Sequence, residues 1–196
     1  MTSTDAGYEV LAHREQPVNK VFRLVSDDVR MPDGAVATRD YLGHTGAVAA
    51  VCVDPDGRVL LLRQYRHPVG RTMWELPAGL TDEPGEKPVD AARRELAEEA
   101  DLTADRWDLL LDLHTTPGCS DELIHVYLAR DVAEVPAAER HQRVAEEAGL
   151  TTSWVPLDDA VRMVLAGEIT NATCVAGVLA AARGRDTGWA DLRPVD

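Results

Sequence analysis

Three glutamates, Glu95, Glu98 and Glu99, stand at positions i, i+3 and i+4 of the chain, the spacing at which side chains share one face of a helix. At about 100° per residue, Glu98 and Glu99 fall at roughly −60° and +40° from Glu95. Like charges so spaced cost an isolated helix roughly 0.2–0.5 kcal/mol per pair. They also lie towards the carboxyl end, where the helix dipole disfavours anions. A helix carrying that penalty points to a bound cation. Clustered carboxylate oxygens suit the hard ions Mg²⁺ and Mn²⁺, whereas zinc prefers His and Cys. On the carboxylates alone, a solvated acidic helix face explains the pattern equally well. The neighbours add weight to the cation: Gly79 and Gly85 bracket a loop, Arg94 lies four residues before Glu98, and Glu86 can return to pair with Arg94.

The elements that must position these groups follow from pattern. A helix is expected over residues 88–100, with Pro88 at its start, where a missing N–H is harmless. Val89, Ala92, Leu96 and Ala100 form its core-facing stripe. Residues 20–43 read as strand, turn and strand about Pro32-Asp33-Gly34, with Phe22, Leu24 and Val29 in the first strand. A second hairpin joins 47–53 to 58–64 through Asp54-Pro55-Asp56-Gly57. Further strands are expected at 109–114, 123–129 and 153–157. Helices are expected at 158–166, with Asp158 as cap and Gly167 as stop, and at 171–182. Residues 135–149 read as a loop with a helical piece. Hairpins alternating with a few helices suggest a mixed α/β domain preceded by a small β unit.

Composition bounds the function. The chain has 196 residues, 34 acidic against 20 basic, and a formal charge of −14. Such acidity argues against a grip on nucleic-acid polymers, which needs a basic footprint. Lys20 and Lys87 are the only lysines, so nearly all its cations are arginines, the better bidentate partners for phosphate. Cys52, Cys119 and Cys174 are too few and too scattered for a disulfide framework or a zinc ribbon, and a reducing cytoplasmic setting is expected. The start carries no signal pattern, and the longest nearly apolar run, 172–182, is too short to span a bilayer. No membrane partner is expected.

Gly79-x6-Glu86-x7-Arg94-Glu-Leu-x-Glu98-Glu99-x-Asp101-Leu102 resembles the Nudix box. The usual pattern has five residues after the glycine and a second glycine where this chain has Asp101; every carboxylate position is filled. The resemblance extends over roughly residues 8–185. Arg63-Gln-Tyr-Arg66-His-Pro, Trp74-Glu-Leu-Pro-Ala-Gly79 and Thr116-Pro-Gly-Cys-Ser-Asp-Glu122 are similar to segments of the ADP-ribose pyrophosphatase branch. It implies a Nudix fold, an α/β/α sandwich with a mixed sheet over 44–196. It also implies an N-terminal β unit, 1–43, exchanged or packed between two subunits of a homodimer.

By position, the resemblance implies Glu95 and Glu99 as the main Mg²⁺ ligands, with Mn²⁺ able to substitute. Glu98 would serve a second ion or its water, and the Ala78 carbonyl would complete the inner site. Arg94 would orient the carboxylates, with Glu86 holding it. The base would be Glu146 or Glu147, and the residues leave that choice open, each also reading as loop surface charge. The substrate would be ADP-ribose or a related nucleoside diphosphate sugar. Arg66 would contact its phosphate or ribose and Glu122 its terminal ribose; Pro117, where that branch carries a proline after the box, would join them at the substrate. Phe22 or Tyr8 would stack on adenine across the dimer, with Phe22 alternatively a core residue of its hairpin. Trp74 and Trp154 read as core, and Arg63 as strand decoration. A broader nucleoside diphosphate-sugar pyrophosphatase, a non-catalytic ADP-ribose sensor and an isoprenoid isomerase share the fold. The sensor would need a damaged carboxylate set, which this chain lacks, and the isomerase a catalytic cysteine in another context.

Overall fold

The computed structural model describes residues 7–143, 149–190 and 192–195. These fall into two units. The first, Met1–Gly46 with His114–Leu123, is built on an antiparallel sheet of β1 (Glu9–Pro17), β2 (Phe22–Arg30) and β3 (Val36–His44), in that order. The β2–β3 hairpin runs in unbroken register from Phe22 opposite His44 to Arg30 opposite Val36. Its turn is closed by Gly34, at φ 87, whose N–H donates to the Met31 carbonyl at 2.9 Å.

The sequence reading contains no strand at 9–17, and the reason is physical. β1 has little apolar periodicity and is tied to β2 by charged cross-strand pairs. Arg14 donates to Asp28 at 2.8 Å, Arg30 to Glu9 at 3.0 Å, and His13 Nδ1 lies 2.6 Å from Asp27. Residues 114–123 also belong to this unit. The Leu42 N–H donates to the Cys119 carbonyl at 2.9 Å, and the Asp121 N–H to the Leu42 carbonyl at 3.2 Å.

The second unit, Ala47–Leu113 with Ile124–Asp196, contains in chain order β4 (Ala47–Cys52), β5 (Arg58–Arg66), β6 (Arg71–Glu75), β7 (Ala78–Leu80), α1 (Pro88–Ala100), β8 (Leu102–Leu113), β9 (Ile124–Glu134), β10 (Thr151–Pro156), α2 (Leu157–Leu165), α3 (Ala172–Asp186) and β11 (Arg193–Pro194). A five-stranded sheet has the order β11-β8-β9-β4-β7, and β10-β5-β6 form a smaller antiparallel one. The larger sheet is mixed, because β4 runs parallel to β9 and its other pairings are antiparallel.

β4 shows why helices must cover both faces. Val48, Ala50 and Cys52 pack with Val89, Ala91, Ala92 and Leu96 of α1. Ala49 and Val51, with Val53 just beyond the strand, pack instead with Leu157 and Ala160 of α2 and with Cys174, Val178 and Ala181 of α3. A strand buried on both faces is the mark of a sheet sandwiched between helices, and the unit is an α/β/α sandwich. Trp74 and Trp154 pack against these two cores.

Several bounds differ from the sequence reading. β8 begins at Leu102, β9 continues to Glu134, and β6 and β7 were not anticipated. β8 carries Asp105, Arg106 and Asp108 within it; pairing with β9 holds these polar residues in the strand. Pro156, not Asp158, is the N-cap of α2, and Asp158 lies in its first turn. α3 runs on past residue 182 to Asp186, while Asn171 caps its start by accepting the Cys174 N–H at 3.0 Å.

Candidate metal and catalytic site

α1 begins at Pro88 and ends where Asp101 turns the chain left-handed at φ 55. It buries Val89, Ala91, Ala92 and Leu96, and also Glu99. Glu99 is only 5% exposed, a costly place for a carboxylate unless it is bonded. Its Oε2 accepts the Ala78 N–H at 2.8 Å, which ties the helix to β7. One turn earlier, Glu95 lies against Gly79: a Cβ on that glycine would stand 2.0 Å from the Glu95 carboxyl carbon and Oε1. The Glu95 side chain, as it lies here, fills the space that a methyl group at residue 79 would take.

Arg94 gathers the remaining acids. Its Nε donates to Glu86 Oε1 at 3.2 Å and Nη2 to Glu86 Oε2 at 3.1 Å, a two-pronged grip. Nη1 donates to Glu95 Oε1 at 2.6 Å and lies 3.5 Å from Glu98 Oε2. The hydrogen bond to Glu86, followed by that to Glu95, raises the Arg94 pKa above its ordinary value, so the guanidinium is a fixed cation. One arginine thus braces the loop at Glu86 and orients two of the three glutamates. Glu98 is the most exposed of the three.

The donor chemistry fits a hard divalent cation. The groups around Ala78 and Gly79 are all oxygen ligands, and the glycine gap holds one carboxylate in place. Among the described residues no group of three or more His, Cys, Asp or Glu side chains is arranged so as to hold a metal ion. An ion such as Mg²⁺ keeps several waters and is bound through one or two carboxylates, so it does not require such a group.

Arg66, at the end of β5, is held by Glu75 of β6. Nε bonds Oε1 and Oε2 at 3.0 and 3.1 Å, and Nη2 bonds Oε2 at 2.7 Å. Glu75 is 3% exposed while the Arg66 side chain is 41% exposed, so a buried acid fixes an arginine that still faces solvent. Sequence reasoning did not single out Glu75; the only signal is a charged residue within the apolar run from Met73 to Pro77. Arg63 stacks over the Trp74 ring at 4.7 Å.

Phe22, Pro117 and Glu122 all belong to the first unit. Phe22 is half-buried and pairs across the sheet with His44, and Pro117 is exposed. Glu122 accepts the Thr115 hydroxyl at 2.7 Å, and its other oxygen lies 3.6 Å from His44 Nε2. Glu146 and Glu147 lie outside the described residues.

Comparison with known proteins places the chain. The family profile described as the NUDIX domain matches residues 43–176. An ADP-ribose pyrophosphatase of Mycobacterium tuberculosis is 46% identical over 189 residues, covering 96% of this chain and 89% of that protein. An ADP-ribose pyrophosphatase of Bacillus subtilis is 36% identical over 153 residues, covering 78% and 80%. Among solved structures, an ADP compounds hydrolase superposes with a TM-score of 0.77 at 20% identity, covering 96% of this chain and 99% of the other. That last likeness concerns the fold.

Proposed function

This chain belongs to the Nudix family, and we propose that within it the protein hydrolyses the pyrophosphate bond of ADP-ribose to AMP and ribose 5-phosphate. The observation that carries the reading is the carboxylate face of α1, with Glu99 bonded to the Ala78 N–H, Glu95 against Gly79 and Glu98 beside Arg94. The two ADP-ribose pyrophosphatases among its relatives support the choice of substrate.

Glu95, Glu98, Glu99 and the Ala78 carbonyl are the groups that would hold Mg²⁺, with Mn²⁺ able to replace it. When bound, such an ion neutralises pyrophosphate charge, polarises phosphoryl oxygens and makes water more acidic. The rest falls to the chain. Phosphoryl transfer asks a protein chiefly for placement and charge stabilisation. Arg94 supplies placement by holding Glu95 under the brace of Glu86. Glu99 is held by the Ala78 amide. Arg66, steadied by Glu75, offers its exposed edge to a phosphate or ribose oxygen. Glu146 or Glu147 takes the proton of the water that attacks one phosphorus while the other phosphate leaves.

Phe22, Pro117 and Glu122 are assigned to substrate contact, in a homodimer that joins N-terminal units. The setting is cytoplasmic, consistent with three free cysteines. Among the described residues no helix is long and apolar enough to cross a membrane.

The test is a panel of ADP-ribose, NADH, ADP-glucose and GDP-mannose with purified protein and Mg²⁺. ADP-ribose should be cleaved best, with AMP released. No AMP from ADP-ribose, alongside good cleavage of another nucleotide, would refute the substrate assignment and favour a broader nucleoside diphosphate-sugar pyrophosphatase.

A further inference from the structure

The first unit holds a carboxylate that is fixed at four points and still reaches solvent. Glu122 lies in the segment His114–Leu123 of this unit. Its N–H donates to Ser120 Oγ at 3.1 Å, and its backbone carbonyl accepts from His114 Nδ1 at 3.0 Å. The Thr115 hydroxyl donates to Glu122 Oε2 at 2.7 Å, and Oε1 faces His44 Nε2 at 3.6 Å. The Glu122 side chain is 23% exposed and the His44 side chain 15%.

His44, the last residue of β3, has a ring of fixed polarity. The Gly46 N–H donates to His44 Nδ1 at 3.0 Å. Gly46 takes φ 90, in the left-handed region that glycine enters freely. An amide N–H can only donate, so Nδ1 accepts and the ring proton stands on Nε2, the nitrogen that faces Glu122. The backbone is held as well, because the His44 N–H donates to Asp121 Oδ1 at 2.7 Å. At 3.6 Å the contact between Nε2 and Glu122 is longer than a hydrogen bond. Hydrogen bonds that serve a reaction are often long without substrate and tighten once it binds.

Each carboxylate oxygen has acceptor sites for more than one donor. With Thr115 on one oxygen and His44 facing the other, Glu122 can still accept through both, and two neighbouring hydroxyls of a sugar present the matching pair of donors. We infer that His44, together with Thr115, is a positioning residue for substrate binding. It turns the Glu122 carboxylate to the hydroxyls of the substrate's sugar and acts on the substrate only through Glu122. This rests on the assignment of Glu122 to substrate contact above. A purely local role would have His44 tie Gly46 to the end of β3. The two roles use opposite nitrogens of the ring, Nε2 for positioning and Nδ1 for the local tie.

Two substitutions separate those nitrogens. His44→Asn keeps an acceptor where Nδ1 stands and removes the donor at Nε2. His44→Gln reaches the Nε2 position with an amide N–H and gives up the Nδ1 acceptor. Both are made in the full chain, melted thermally, and assayed with whichever nucleotide of the panel the unaltered protein cleaves fastest. His44→Asn should melt near the unaltered protein's temperature. Its KM should nonetheless rise about five- to tenfold with kcat within about threefold, the split expected when a binding contact away from the reacting bond is lost. His44→Gln should melt lower and recover most of the KM. Thr115→Val should raise KM as His44→Asn does, and Thr115→Ser should restore it. A thermally sound His44→Asn protein with KM within about twofold of normal would overturn the positioning role. So would a rise in KM as large in His44→Gln as in His44→Asn. Glu122→Gln, run beside them, shows where a failure lies. A raised KM there with a normal one in His44→Asn removes the positioning role alone. A normal KM in Glu122→Gln removes Glu122 from substrate contact and the positioning role with it. If the unaltered protein cleaves nothing in the panel, the hydrolase reading falls and takes both with it.

Discussion

Replacing Gly79 with alanine adds one methyl group where the structure has no room for it. The new Cβ would lie 2.0 Å from Glu95 Cδ and Oε1 and 2.5 Å from Cγ. Ordinary contact begins near 3.4 Å, so the Glu95 carboxyl must retreat by about 1.4 Å. The clashing atoms are the far end of a flexible side chain, so the fold can absorb the change by rotating it. Overpacking of this kind typically costs about 1–3 kcal/mol, which for a chain of this size is a fall of roughly 2–12 °C in melting temperature. Activity is far less forgiving. A misplacement near 1 Å costs about a hundredfold in rate, equivalent to about 2.7 kcal/mol of transition-state stabilisation. Gly79→Ala should therefore fold, melt cooperatively and lose about two decades of kcat/KM for ADP-ribose. The assay is initial-rate AMP release at saturating Mg²⁺, paired with a thermal melt. A folded Gly79→Ala protein with near-normal turnover would show that the position of the Glu95 carboxylate does not matter to the chemistry.

Other perturbations probe parts of the molecule away from that contact. Burial pushes the thiols of Cys52 and Cys174 up to about 12, helped by the charges of Asp54 and Glu75 respectively, while Cys119 is exposed. A disulfide reagent should titrate one thiol in the native protein and three in denaturant; rapid native reaction of all three would contradict this packing. In the first unit, hydrogen bonds to Asp27 and then Glu15 raise the His13 pKa above 6.5. The imidazolium therefore favours the folded sheet, in full below pH 6.5 and decreasingly as pH rises through the folded pKa. An NMR titration of His13 should give a midpoint above 6.5, and a midpoint at or below that value would refute the pairing. Gly177→Ala would bring a Cβ within 2.7 Å of Leu76 and 2.9 Å of Val51. It should lower the melting temperature by roughly 2–12 °C, and an unchanged melt would show that the α3 contact is looser than described.

What could be read from the residues alone depended on how local the cause was. The bounds of α1 follow from Pro88, the apolar stripe and the helical turn, all within thirteen residues, and they were legible. So was the carboxylate face, because i, i+3 and i+4 is a local spacing. β1 was not legible, since its ion pairs to β2 join residues 14 or more positions apart and leave no period in the strand itself. Glu75 was missed for the same reason: strand pairing between β5 and β6 creates its grip on Arg66, and Trp74-Glu-Leu-Pro carries no hint of the partner. Asp101 was visible as a departure from a pattern, but only the fold brings Arg143 to it, at 2.6 Å. The membership of residues 114–123 in the first unit likewise depends on hydrogen bonds to β3. The chain's formal charge of −14 does not oppose an anionic substrate, because the sign of the site would be set by the ion its carboxylates hold rather than by the chain total.

If the α1 carboxylates hold the ion on which hydrolysis depends, Glu99→Gln should remove activity and leave the fold intact. Glutamine keeps the shape and can still accept the Ala78 N–H through its amide oxygen, so the melting temperature should change little while the charge is lost. Mg²⁺-dependent release of AMP from ADP-ribose should fall by about a thousandfold, the scale of losing one preorganised charge in a phosphoryl-transfer site. Turnover by a folded Glu99→Gln protein close to that of the unaltered chain, at the same Mg²⁺ concentration, would contradict it.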